Sequence, residues 1–408
     1  MRERPAMREG YAHLPLVFSS LGHCYVHLFM AFYFVIVLAL EEAWALPYHE
    51  LIEPWTLGSL MVGLVALPAG WLGDRWSASG MMVVFFLGLG VSGIVCGLVD
   101  APTALFLGLT SIGVFAAIYH PVGIAWLVRN AEFRGKALGI NGIFGSIGIA
   151  VAALAAGALI DLFGWRAAFI VPGVVSVATG LALMACLRLG LLVEAKVEAK
   201  ADNSAPPSRA AMARVYAILL LTMLVMGMVF QATQIAIPKV FDLRLRDIAG
   251  TGTFGIGLIV ALVYTLGGVT QLVGGLLADR YPLKPIYVGG FLFQVPVLAG
   301  IAWFGGMPLI ALAAASVLLT TAPLPAENLL LARFTPQRHH SLAYGVKFVL
   351  AFGTGPVSIM LVSSVQARSG EFFWLFLALA GLAVVATLAA LLLPGEPVRR
   401  PAPAVAAE

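Results

Sequence analysis

Twelve apolar stretches, each about 20 residues long, restrict what this chain can become more than any other feature. They run over about 16–40, 55–73, 79–99, 103–127, 137–160 and 165–189, then 213–238, 252–278, 284–304, 307–331, 341–365 and 372–394. A stretch of that length crosses the hydrocarbon core as one helix, because a helix satisfies its own backbone polar groups where no water can. Composition agrees: 11% of residues are charged, against about 25% in a soluble domain. The expected fold class is an all-α membrane protein with twelve transmembrane helices. The first stretch continues to Leu40, too long for a cleaved signal, and is expected to be retained.

The stretches fall into two sets of six. Between them, residues 190–212 carry Glu194, Lys196, Glu198, Lys200, Asp202 and Pro206-Pro207, which reads as a solvated linker. The expected organisation is a six-helix bundle over 1–189, the linker over 190–212, a second bundle over 213–394, and a disordered Pro/Ala-rich tail over 395–408. A repeated string supports two like halves. Gly70-Trp71-Leu72-Gly73-Asp74-Arg75 and Gly275-Leu276-Leu277-Ala278-Asp279-Arg280 both read Gly-x-Leu-x-Asp-Arg, 205 residues apart. Each lies between the second and third spans of its half.

Loop charges set an orientation. With the N-terminus inside, 18 of the 24 Lys and Arg residues face the cytoplasm, 5 face outward, and Lys347 lies within a span. Both termini and both repeated strings are therefore expected on the cytoplasmic side of a bacterial inner membrane. The first outer loop holds Glu41, Glu42, Glu50 and Glu53 with no Lys or Arg. The net charge of +4 is thus loop asymmetry and not a nucleic-acid footprint. Cys24, Cys96 and Cys186 are scattered in apolar runs and suggest neither a disulfide framework nor a thiolate metal site.

The placement of the two strings closely resembles the cytoplasmic signature of the major facilitator superfamily. The first copy departs from the family pattern, with Ser77-Ala78-Ser79 in place of a basic tail, and the second keeps only Lys284. Gly157 to Arg166 at the end of span five is also similar to that superfamily. The resemblance implies two pseudo-symmetric six-helix bundles, a substrate cavity between them and alternating access by rocking. Gly22-His23, Tyr119-His120-Pro121-Val122-Gly123 and Arg134-Gly135-Lys136-Ala137-Leu138-Gly139 resemble the fosmidomycin-resistance-type branch, linked to proton-coupled efflux of a small phosphonate. Two antiporter features are missing: Leu109 stands where a basic residue would precede Gly113, and Ala152-Ala153 replaces a Gly-Pro in span five.

In such folds the second-to-third turn packs near the start of span eleven. Asp74 would accept from the unpaired N–H groups of that helix and meet its positive dipole end. Each such interaction contributes about 0.3–1 kcal/mol, up to ~2 when partly buried, a fit for a latch that opens every cycle. Gly70, Asp74 and Arg75 form the first candidate latch; Gly275, Asp279 and Arg280 form the second, where a structural role weighs more. The plainer alternative is an Asp-Arg pair that only ends a span.

Ionisable residues within spans cost about 2.5–3.5 kcal/mol each on insertion scales and need a reason. His23 and His27 are four apart on one face of span one. His120 precedes Pro121 in span four. Glu327 and Lys347 lie ten residues on either side of 337 in the hairpin of spans ten and eleven, so they sit at one depth and can pair. That pair is either structural or a proton-linked anion clamp in which protonating Glu327 frees Lys347. The histidines are read as proton or substrate ligands, as structural hydrogen-bonders, or as metal ligands. Metal is disfavoured because it needs further ligands and neither an intramembrane Asp nor a clustered carboxylate accompanies them. Gln231, Gln234 and Asn141 add neutral hydrogen-bonding groups.

The expected function is secondary active transport of a small anionic organic solute, coupled to protons, by a monomer needing no cofactor. The branch resemblance favours efflux; the missing antiporter features favour uptake or exchange of a monocarboxylate-like anion. A non-transporting sensor with this fold is the competing class, against which both preserved signature copies argue. A primary pump is excluded by the lack of a Gly-x-x-x-x-Gly-Lys-Ser/Thr phosphate loop, and no enzymatic centre is expected.

Overall fold

The computed structural model describes residues 13–131, 133–192, 209–335 and 340–394. Among the described residues eleven helices are long and apolar enough to cross a membrane, or twelve with a bent pair counted as one span. In chain order they are α1 (Leu14–Trp44), α2 (Tyr48–Leu64 with Ala66–Arg75), α3 (Ala78–Leu98), α4 (Pro102–Asn130), α5 (Lys136–Phe163) and α6 (Trp165–Arg188). The second set is α7 (Arg214–Arg244), α8 (Thr253–Arg280), α9 (Leu283–Trp303), α10 (Gly306–Phe334), α11 (His340–Gly353 with Gly355–Ser369) and α12 (Phe373–Leu391).

Several boundaries differ from the hydropathy reading for identifiable reasons. The helix that contains α7 begins at Arg209, inside the expected linker; residues 193–208 of that linker and the whole expected tail lie outside the described residues. α2 begins at Tyr48, seven residues before the expected edge, because a short helix between Pro47 and Pro54 buries Tyr48, Leu51 and Ile52 despite its polar neighbours. α2 then bends by 41°. Pro68 has no N–H to offer the Leu64 carbonyl four residues back, which accounts for the break. Pro121 does the same in α4, where Tyr119–Gly123 forms a π-helical segment.

Each half repeats one packing scheme. α1 lies on α5, α3 on α6 and α2 on α4; in the second half α7 lies on α11, α9 on α12 and α8 on α10. The halves meet through α5 against α8 and α2 against α11, pairs that the same exchange of halves interconverts. Bare backbone makes the tightest crossings. A Cβ on Gly113 of α4 would fall 2.0 Å from the Gly58 carbonyl oxygen of α2, and one on Gly274 of α8 would fall 2.1 Å from the Ala322 carbonyl oxygen of α10. Such contacts let helices associate in lipid, where no hydrophobic gain separates a helix neighbour from a lipid tail. Outward, α6 exposes Val174, Val175 and Leu181, the apolar face a lipid-facing helix requires.

Candidate functional site: a cavity between the two halves

Among the described residues the polar contacts between the halves gather at the end of the molecule opposite the Gly-x-Leu-x-Asp-Arg turns. Asp161, at the end of α5, accepts from the backbone N–H of Thr253 and of Phe254, both at 2.9 Å, and from the Thr253 hydroxyl at 2.5 Å. It caps the N-terminus of α8 from the other half. Lys239 of α7 bonds Glu41 of α1 at 2.6 Å and Asp242 at 2.9 Å. Tyr48 donates to the Ile235 carbonyl at 2.9 Å, and Ser363 of α11 donates to Glu53 at 2.8 Å. These contacts close the cavity at that end. The loop-charge count sets the acidic first loop on the outer side but joins nothing across the halves.

At the signature end no contact joins Asp74 to the other half among the described residues. Its carboxylate meets Arg129, at the end of α4, at 2.5 Å, and its side chain is 68% exposed. Arg75 stacks over Trp71, 4.6 Å from the ring centre. Gly70 faces Pro121, whose ring lies 3.2 Å from where a Cβ would sit, so the first signature turn is packed on the π-helical break of α4. The second copy differs: a Cβ at Gly275 would meet nothing within 4 Å, and Asp279 and Arg280 are exposed.

Between these ends lies a cavity of about 360 Å³. Its wall from the first half holds His23, His27 and His120; its wall from the second holds Gln231, Glu327 and Lys347. The three imidazoles form one cluster, with ring centres 5.0 Å apart for His23 and His27 and 5.5 Å apart for each of these with His120. The helical spacing in α1 brings the first two together, and the π-helical segment of α4 adds the third. Gly145 of α5 makes the room: a Cβ there would fall 2.7 Å from the His23 ring. His23 Nδ1 lies 2.7 Å from the Asn141 backbone carbonyl. An oxygen acceptor requires Nδ1–H, so the neutral ring keeps its lone pair on Nε2. Asn141 is thus behind the cluster and not on the cavity wall. Its amide donates to Tyr119 at 2.9 Å and to Ser19 at 3.2 Å, and Tyr119 stacks on His23, so the side chain holds the wall in place.

On the facing wall Lys347 Nζ lies 2.6 Å from Glu327 Oε1, the pairing that equal depth in the α10–α11 hairpin allows. Both are buried, at 2% exposure for Glu327 and 8% for Lys347. Tyr287 donates to the other carboxylate oxygen at 2.9 Å and is itself joined to Thr222 at 2.7 Å; Lys347 donates to Asn328 Oδ1 at 2.6 Å. Tyr287 and Asn328 escaped sequence reasoning, although Asn328 adjoins Glu327 and a polar residue inside an apolar run is a usable signal. Phe352 of α11 reaches across to His120, with ring centres 4.9 Å apart, and joins the walls. Gln231 lines the cavity, whereas Gln234 lies one turn toward the closed end, beside a small void with Ser59 and Ile235. The arrangement can exchange a proton at a carboxylate or imidazole, and it can present one ammonium group to a solute oxygen.

Comparison with known proteins agrees with this architecture. The sequence profile of the Major Facilitator Superfamily matches residues 20–322 and 240–408. A puromycin resistance protein of Streptomyces alboniger is 33% identical over 134 residues, 32% of this chain and 26% of that one. An uncharacterised MFS-type transporter of Mycobacterium tuberculosis is 36% identical over 126 residues, 30% of this chain and 21% of that one. The match therefore spans about a quarter of the length of either relative. Among solved structures, an inward-facing, occupied bacterial homologue of the human lysosomal transporter Spinster superposes with a TM-score of 0.74 at 14% identity, covering 94% of this chain and 96% of its own. A peptide transporter in complex with sulfate superposes with a TM-score of 0.73 at 15% identity, covering 93% of each chain.

Proposed function

The chain belongs to the Major Facilitator Superfamily, a family of multi-pass membrane transporters and not of enzymes, and on that premise we propose that it moves a small anionic organic solute by proton-coupled alternating access. The observation that carries this reading is the buried Glu327–Lys347 pair in the cavity wall. A buried ammonium stripped of its counter-ion costs several kcal/mol, so Lys347 needs a negative partner at every stage. Glu327 is that partner while it is ionised. When Glu327 takes a proton, the partner must come from the cavity, and a carboxylate or phosphonate oxygen fits. Proton uptake and anion binding are then two halves of one exchange.

The remaining residues have supporting roles on this reading. Gln231 and Asn328 hydrogen-bond the solute from the same wall. The histidine cluster opposite takes and passes protons, with Asn141 fixing its geometry. Asp74 is a latch that leaves Arg129 for the N-terminal end of α11 when the signature end closes; Asp279 contributes less, since its turn packs on nothing comparable. With the signature end taken as cytoplasmic, the described state faces inward. Resemblance to the fosmidomycin-resistance-type branch supports efflux of a phosphonate; Leu109 and Ala152-Ala153 support uptake or exchange of a small carboxylate.

The relative named for puromycin resistance suggests a cationic drug as a second reading. In that case Glu327, and not Lys347, would hold the cargo. A thermal-shift screen of the purified protein separates them. Small carboxylates, methylphosphonate and fosmidomycin are expected to raise the unfolding temperature at mildly acidic pH, and puromycin is not. Stabilisation by puromycin alone would reverse the assignment of charge.

A further inference from the structure

We propose that His23, His27 and His120 form a binding site for a divalent transition-metal ion of the zinc class, with its fourth coordination position open to the cavity. One candidate nitrogen from each ring lies within 4.8 Å of the others. In a tetrahedral site with metal–nitrogen bonds of about 2.0–2.1 Å, the nitrogens stand roughly 3.3 Å apart. The three rings therefore need only small side-chain rotations to close on an ion. His23 and His27 are half-buried and border the cavity, which gives them the room.

A second observation supports ligation. Metal-binding histidines characteristically donate their other ring N–H to a backbone carbonyl or carboxylate, which fixes the tautomer and aims the lone pair. His23 has that arrangement already, through Nδ1 and the Asn141 carbonyl at 2.7 Å. Asn141 is itself held by Ser19 and Tyr119, so the support is rigid.

Among the described residues no Cys, Asp or Glu joins the cluster. Three neutral imidazoles leave the ion's charge of +2 uncompensated, so the open position takes hydroxide or an anionic oxygen from the cavity. A three-histidine set with one open position suits Zn²⁺ and its spectroscopic substitute Co²⁺, and not the oxygen-seeking Mg²⁺ or Ca²⁺. Sequence alone disfavours metal because no clustered carboxylate accompanies the three histidines; none joins them among the described residues, and the packing of α4 on α1 brings all three rings within reach of one ion.

The test is Co²⁺ titration of the full-length protein in detergent after chelator treatment. The expected result is one equivalent bound, with the visible absorption of a four-coordinate ion, displaced by Zn²⁺ but not by Mg²⁺. His23→Ala and His120→Ala should each weaken binding at least ~100-fold, more than loss of a supporting hydrogen bond does. His120→Cys should retain the ion and add a sulfur-to-cobalt charge-transfer band, which a merely structural histidine would not produce. Absence of tetrahedral Co²⁺ absorption in the unaltered protein, or unchanged binding in both alanine variants, would overturn the proposal. The proposal does not rest on the transport reading; with an ion bound, the imidazole lone pairs are taken up by the metal, and Glu327 is the group left to carry the proton. Glu327→Gln/Lys347→Met should keep the cobalt spectrum while losing anion transport, so the two can fail separately.

Discussion

Replacing Lys347 with methionine is expected to be the most damaging single change in the cavity wall. It strands Glu327, which is 2% exposed and accepts from Lys347 and Tyr287, with only the phenol as partner. Breaking a buried ion pair from one side typically costs about 3–5 kcal/mol. Replacing both members by neutral groups of similar volume is often nearly neutral. Glu327→Gln/Lys347→Met is therefore expected to recover most of the stability lost by Lys347→Met, with a coupling energy of about 2–3 kcal/mol. Thermal unfolding of the purified variants measures this. Transport should not recover in the double variant, because it has neither the titrating carboxylate nor the ammonium. If the double variant transports at the original rate, the pair is structural and the solute is held elsewhere.

The second large effect concerns the closed end. Asp161→Asn keeps the shape of the α8 cap but removes the charge that faces two backbone N–H groups and a hydroxyl. Asp161 is exposed, so the loss is expected at about 1–2 kcal/mol and not the larger value of a buried charge. Since about 1.4 kcal/mol is a factor of ten, the closed end should open roughly 5–30 times more often. A cysteine at Gln231, in a background free of Cys24, Cys96 and Cys186, reports this by its labelling rate from that side. Lys239→Gln, which releases Glu41, should act in the same direction. An unchanged labelling rate in both variants would mean that neither contact holds the end shut.

Much of this architecture is visible in the sequence because lipid imposes simple rules. Span count and the division into two bundles follow from apolar length and one polar segment. The Glu327–Lys347 pair follows from counting residues about a hairpin, since both partners hang on adjacent helices of fixed rise. Contacts between distant helices are not legible that way. Asp161 reads as a span-ending residue until α5 is placed against α8. His120 is a candidate ligand on sequence, but that it meets His23 and His27 in one cluster appears only once the π-helical segment of α4 is packed on α1. Gln231 and Gln234 look equivalent at i, i+3 spacing, yet only depth along α7 decides which one reaches the cavity. Asn141 looks like a cavity donor, but its helix faces it toward Ser19 and Tyr119. The bend in α2 is written in Pro68, whereas the start of α2 at Tyr48 is masked by His49, Glu50 and Glu53.

On the proposed mechanism, protonation of the cavity wall and binding of an organic anion are one coupled event. Proteoliposomes holding the purified protein, given a pH gradient and labelled methylphosphonate, test it most directly. Gradient-driven accumulation that collapses with a protonophore and is abolished in Glu327→Gln/Lys347→Met is the expected result. Accumulation that ignores the pH gradient, or that persists in the double variant, would contradict it.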